Sequence, residues 1–277
     1  MLGAVTGDVI GSTYEFSNTT TKDFDLFPPR SRFTDDTVLT VAVADTLLSG
    51  EPYDFKNRIR NWARRYPNSG YGGRFRQWAF SDNPEPYRSY GNGSAMRVSP
   101  VGFAFDSEDQ ILQVAEQSAA VTHDHPEGIK GAKAVALSIY MARHCLTKEA
   151  IAERIQTEFG YELSIPIAQI RENYHFDETC QGSVPQAIRA FLESEDYEDA
   201  IRLAVWLGGD SDTIACIAGG IAEAFYGKVP DWIKQKSLAV LPTDMKTVIS
   251  GFYKQYMEST TRINAQQSLR KRGILPF

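Results

Sequence analysis

Two acidic strings, each opening an unusually apolar helical run, constrain this chain more than any other feature. The first, FTDDTVLTVAV, carries Thr34, Asp35, Asp36 and Thr37; the second, GGDSDTIACIAGG, carries Asp210, Ser211, Asp212 and Thr213. A helix that is apolar all round is buried, so these carboxylates sit at the ends of core helices. Asp, Ser and Thr are ordinary helix caps, and negative charge suits a first turn. Capping accounts for one acid per string. It accounts less well for two, because neighbouring carboxylates repel and burying them is costly unless something positive lies among them. An oxygen-only donor set suits a hard cation such as Mg²⁺ or Mn²⁺. If the fold joins the strings, four carboxylates meet and one or two divalent cations have to balance them.

The rest of the chain reads as helices. Residues 36–48 form a buried helix that stops at Gly50, and residues 54–66 an amphipathic one with Phe55, Ile59, Trp62 and Ala63 on its apolar side and Pro67 as its stop. A capping pattern, Ser107 with Gln110, opens 107–121. Helices follow over 127–145 and 148–159, the latter capped by Thr147, and another starts at Ser183 with Pro185 in its first turn. Tyr197–Leu207, Thr213–Tyr226, Pro230–Leu241 and Asp244–Thr260 complete the set. Alternating strand patterns are scarce. The expectation is an all-α, single-domain protein spanning 1–277, with irregular stretches at 16–33 and 67–105. A long aromatic loop region such as 67–105 is more often functional than idle.

Composition excludes several function classes. A net charge of −6 with no dense basic stripe argues against binding to a nucleic-acid backbone. Cys145, Cys180 and Cys216 are widely spaced and form no finger pattern, so buried, reduced thiols in a cytoplasmic protein are expected. The opening MLGAVTGDVIGSTYEF lacks a basic lead and carries Asp8 and Glu15, unlike a secretory signal. No apolar run approaches the roughly 20 residues of a membrane span. P-loop and GxSxG strings are missing.

Other segments carry weaker signals. In SYGNGSAMRVSP, small residues Gly91, Asn92, Gly93 and Ser94 make a loop whose free N–H groups suit a phosphate, although an ordinary turn reads the same. Tyr71, Phe75, Trp78, Tyr87 and Tyr90 are candidates for stacking on a base and equally for the core. His123 and His125 in VTHDHPEG lack further partners for a zinc site; a histidine lining a ligand pocket is the better reading. Gly3, Gly7 and Gly11 at four-residue spacing make a smooth strip for close packing, and Glu15 follows one turn later. Gly219 and Gly220 inside the second acidic helix imply another close approach, taken here as contact with the helix after Asp36. The C-terminal Arg270, Lys271 and Arg272 read as a solvated tail.

Taken together and in order, GAVTGDVIGSTYE, FTDDT, GNGSAMRVSP, THDHPEGIKGA and GGDSDTIACIAGGIAEAFYG resemble the ADP-ribosylglycohydrolase family, which includes dinitrogenase reductase-activating glycohydrolase. The resemblance covers nearly the whole chain. It implies a compact all-α fold with a two-Mg²⁺ (or Mn²⁺) centre held by Thr34, Asp35, Asp36, Asp210, Asp212 and Thr213, with Glu15 as a mobile acid beside them. Glu15, Asp35, Asp36 and Asp212 would carry catalysis; Gly91, Asn92, Gly93, Ser94, Met96, Tyr90 and His123 would line the ADP-ribose cleft. Where some relatives place an aspartate in the glycine loop, Asn92 stands here, which leaves the proton donor to the leaving group open. The implied activity is removal of ADP-ribose from a protein side chain, arginine first, by a monomeric enzyme. The alternatives are a non-catalytic ADP-ribose binder and a hydrolase of a small conjugate such as O-acetyl-ADP-ribose. Both Asp pairs and Glu15 are kept, which favours the enzyme.

Overall fold

The glycine strip near the N-terminus organises the molecule. In the computed structural model, which describes residues 1–257, it lies on the first of fifteen α-helices. These are α1 (Leu2–Gly11), α2 (Asp35–Leu48), α3 (Phe55–Arg65), α4 (Gly73–Phe80), α5 (Gly93–Met96), α6 (Ser99–Ala104), α7 (Glu108–Ala120) and α8 (Pro126–Arg143). They continue as α9 (Lys148–Phe159), α10 (Ile167–Arg171), α11 (Cys180–Glu193), α12 (Tyr197–Leu207), α13 (Ser211–Tyr226), α14 (Asp231–Ala239) and α15 (Thr243–Phe252). Among the described residues there is no β-strand, only an isolated antiparallel bridge between Gly91 and Thr179. The all-α expectation holds.

Every residue of α1 is buried. Its glycines face α13 so closely that a methyl group at Gly7 would overlap the Ala215 carbonyl, and one at Gly11 would lie 2.5 Å from the Asp212 Cα. Gly3 meets Gly219 in the same way. The two helices are therefore antiparallel along a backbone-to-backbone seam, which only side chains of this size allow. This corrects one expectation: Gly219 packs on α1 rather than on α2, and Gly220 faces Ser99 and Ile139.

Asp8 fixes the third member. From the middle of α1 its carboxylate accepts from Thr34 N (2.9 Å), Thr37 N (3.1 Å), Thr34 Oγ1 (2.7 Å) and Thr37 Oγ1. Amides at the start of α2 that helix geometry leaves without partners are thus satisfied by a carboxylate on another helix. Thr34 completes the cap by accepting from Asp36 N. Helix α1 is the spine that holds both acidic strings at one end, α2 through Asp8 and α13 through the seam.

Several boundaries differ from the sequence expectation. Helix α11 begins at Cys180 under a Thr179 cap, so Pro185 lies inside it rather than in its first turn. The stretch 67–105 contains α4, α5 and α6. The last helix passes into a π-helical turn over Tyr253–Met257; its expected end at Thr260 and the basic cluster at Arg270, Lys271 and Arg272 lie outside the described residues. Cys180 and Cys216 are buried as expected, but Cys145 is exposed. No helix among the described residues is long and apolar enough to cross a membrane.

Candidate active site

Thr213 Oγ1 of α13 donates to Asp36 Oδ2 of α2 across 3.3 Å, which joins the two acidic strings directly. Asp36, Asp210 and Asp212 are buried, and Asp35 is half-buried beside them. Glu15, four residues past α1, completes a group in which oxygens of Glu15, Asp210 and Asp212 all lie within 4.8 Å of one another. Gly208 and Gly209 make the turn that delivers Asp210; both have positive φ, +88° and +71°, where other residues are strained.

These acids are not consumed by capping. Thr34 and Asp8 cap α2, and the Asp210 side chain accepts no capping bond from the first amides of its own helix. Asp210 Oδ2 instead accepts from Asn92 Nδ2 at 2.6 Å. Asp36 Oδ1 is buried with no hydrogen-bond partner. Among the described residues none of the five carboxylates forms a salt bridge. Burial first, then the neighbouring carboxylates, pushes Asp35, Asp36 and Asp212 well above the ordinary carboxylate range. Glu15 is pushed up to about 7 by burial and by Asp210, with Arg32 opposing. Asp210 is raised by burial, and its hydrogen bonds hold it back. Such a cluster lacks positive charge, and its all-oxygen donors fit a divalent cation.

The acids floor a cleft of about 570 Å³. Its wall includes Gly91, Asn92, Gly93, Met96, Tyr90, Tyr87 and His123, which brings most of the sequence-predicted binding residues to one place. His123 is buried; Nδ1 lies 2.6 Å from Thr122 Oγ1, and Nε2 faces Gly91 and Gly93. Burial, with Arg97 and Arg74 nearby, keeps its imidazole far below its ordinary value, and so neutral. His125 does something else: it caps α8 by accepting from Glu127 N at 3.1 Å. The histidine pair is thus split between pocket and scaffold.

Three expectations need correction. Ser94 is buried with its hydroxyl donating to the Gly128 carbonyl at 2.7 Å, so it anchors the loop to α8 and is not part of the cleft wall. Asn92 is mainly a clamp, since its amide also donates to Ser183 Oγ at 2.9 Å. Nor is the loop a run of free N–H groups: those of Gly91, Asn92 and Ala95 go to Ser89 Oγ, the Glu178 carbonyl and the Asn92 carbonyl. Of the aromatics weighed for stacking, Tyr71 and Trp78 are core, Phe75 is buried at the cleft edge, Tyr87 is half-buried and Tyr90 is exposed. Asp8, Phe16, Phe176 and Glu178 escaped the sequence reading. Only Asp8 left a signal, as a lone acid in an otherwise apolar helix.

The chain matches the ADP-ribosylglycohydrolase family over residues 1–261. It belongs to that family. The protein is accordingly an enzyme, a hydrolase of ADP-ribose glycosidic bonds. It is 30% identical to ADP-ribosylhydrolase ARH3 of Bos taurus over 88% of this chain and 89% of the relative. It is 25% identical to ADP-ribosylarginine hydrolase Tri1 of Pseudomonas putida (strain GB-1) over 85% of this chain and 72% of the relative. A solved structure described as "ADP-ribosylglycohydrolase-related protein complex" superposes with a TM-score of 0.69 at 26% identity, covering 92% of this chain and 96% of that one. The family is metal-dependent, in keeping with the acidic floor.

Proposed function

We propose that this enzyme releases ADP-ribose from modified arginine side chains of proteins, using two divalent cations, Mg²⁺ or Mn²⁺. The observation that carries the metal reading is the meeting of two remote acidic strings around buried carboxylates that the protein leaves uncompensated, Asp36 Oδ1 above all. Thr34, Asp35, Asp36, Asp210, Asp212 and Thr213 would hold the cations. When bound, these supply charge compensation and polarise oxygens of the ribose and of water. The arginine linkage is supported by the name of the Pseudomonas putida relative, an ADP-ribosylarginine hydrolase.

The chain's own residues divide the remaining work. Cleavage at C1 of the distal ribose builds oxocarbenium character at that carbon, and the carboxylates of the floor favour positive charge there. Glu15, whose carboxyl is pushed up to about 7 by burial and by Asp210 in the metal-free site, stands beside Asp210 and Asp212. It is the group suited to exchange a proton with the attacking water. Asn92 fixes the Asp210 carboxylate. Neutral His123 and the glycines at 91 and 93 leave room for the diphosphate, and Tyr90, exposed on the cleft wall, offers a face to the adenine.

The test is incubation of the purified protein and Mg²⁺ with an ADP-ribosylarginine peptide, an ADP-ribosylserine peptide and O-acetyl-ADP-ribose. Release of ADP-ribose from the first at the highest kcat/KM is the expected result. Turnover confined to the serine conjugate or the small ester would reassign the substrate, and activity unaltered by exhaustive chelation would remove the cations.

A further inference from the structure

Two exposed phenylalanines face each other over the cleft. Phe16 is 82% exposed and Phe176 49% exposed, and their rings stack with centroids 6.1 Å apart and planes 21° from parallel. Exposed aromatics scattered singly are unremarkable. These two come from loops far apart in sequence, and both line the cleft that holds the acidic floor. Two further contacts place their loops. The Asn18 side chain packs on Gly208, and the Tyr174 ring packs on Gly209, the glycines that lead into Asp210. The pair therefore stands above the acid-bearing turn.

The cleft's other free aromatics are in different company. Tyr87 carries the Arg74 guanidinium 4.9 Å from its ring centroid and lies 6.2 Å from His123, while Tyr90 packs edge-on to His125. Cations and glycines suit the nucleotide half of a substrate. Beside the phenylalanines the chain places Glu15 and the exposed Glu178, with the Arg32 guanidinium near Glu15. Ring faces rimmed by carboxylates suit a planar cation, which aromatic faces attract and carboxylates neutralise.

Resting on the arginine reading above, we propose that Phe16 and Phe176 form a clip for the leaving side chain, taking the guanidinium and its aliphatic stem of the ADP-ribosylated arginine against their ring faces. The clip selects the protein-linked substrate over small ADP-ribose derivatives and leaves the nucleotide half of the molecule untouched. It predicts a split between KM and kcat, because stacking on the leaving side chain is present before the bond breaks.

The experiment compares wild type with the doubles Phe16→Leu/Phe176→Leu and Phe16→Trp/Phe176→Trp. Each is assayed on an ADP-ribosylarginine peptide and on O-acetyl-ADP-ribose, with product inhibition by ADP-ribose measured alongside. The leucine double is expected to raise KM for the arginine peptide on the order of ten-fold. Its kcat, its KM for O-acetyl-ADP-ribose and its inhibition by ADP-ribose should match wild type, and the tryptophan double should restore the peptide KM. An unchanged peptide KM overturns the clip, as does an equal rise for all three ligands. Wild-type protein that turns over other linkages but not arginine overturns the underlying reading instead, a result visible before any variant is made.

Discussion

The two ends of the α1–α13 seam handle buried carboxylates in opposite ways. At one end Glu223 accepts from the Met1 amino group at 2.6 Å, from Gly3 N at 2.7 Å and from the Tyr253 hydroxyl. At the other, Asp36, Asp210, Asp212 and their half-buried neighbours Asp35 and Glu15 face one another, and among the described residues none of them forms a salt bridge, Arg32 lying only near Glu15. The same helix pair thus carries a finished electrostatic joint and an unfinished one. A buried charge with all its partners inside the protein is structural, and one left short of partners is kept for something that binds. Asp8 makes the same point within the site: it lies close to Asp36, yet the protein answers it with four hydrogen bonds.

Substitutions can break this contrast. The largest effect belongs to Asp212→Ala and Asp35→Ala, which are expected to lower kcat/KM on the preferred substrate by about a thousand-fold, or about 4 kcal/mol, and to weaken Mn²⁺ binding by calorimetry. Activity within ten-fold of wild type in either would remove that residue from the proposed ligand set. Next is Gly7→Val, which forces side-chain atoms into the Ala215 backbone. It should cost about 3 kcal/mol or more, read as a lower urea midpoint, and should disable both ends of the seam together. Glu223→Gln should cost about 2 kcal/mol, since it leaves the Met1 amino group buried beside a neutral amide.

The smallest effect is the sharpest test, because its sign reverses between the two ends. Asp35, Asp36 and Asp212 have folded-state pKa values raised above their unfolded values, so the folded protein holds more protons. Their contribution is fully present below the ordinary carboxylate range and is lost as pH rises through the folded values, with Glu15 marking the window at about 7. Metal-free protein should therefore lose thermal stability between about pH 4 and pH 7, and the gain from added Mg²⁺ should be greater at pH 8 than at pH 5. At pH 8 without metal, Asp212→Asn should be about 1 kcal/mol more stable than wild type, whereas Glu223→Gln should be less stable. Equal signs in chelator-treated melts would show that the two ends do not differ as described.

Much of this was legible in sequence because it was periodic. The glycines at 3, 7 and 11 announced a seam, the apolar runs after Asp36 and Asp212 announced burial, and Phe55, Ile59, Trp62 and Ala63 are the buried face of α3 as expected. Partnership was not legible. Four-residue spacing says that a helix face is smooth but not which helix meets it, so the expectation of α13 on α2 gives way to α13 on α1. Lone buried acids such as Asp8 and Glu223 stand out in apolar helices but show no role until their donors, 26 and 220 residues away, are in place. Pro185 sits inside α11 because Thr179, a better cap, starts that helix earlier. The rim residues Phe16 and Phe176 lie in loops, where no repeat marks a side chain for notice.

The seam also sets a schedule for synthesis. Ser211 Oγ donates to the Gly11 carbonyl across 200 residues of chain. At roughly 5–20 residues per second on the ribosome, α1 waits some ten to forty seconds for the surface it is shaped to meet. During that interval it is a short, greasy segment without a mate. The hydrolytic centre consequently comes into being only when α13 arrives, so a growing polypeptide stays catalytically silent until that helix is made.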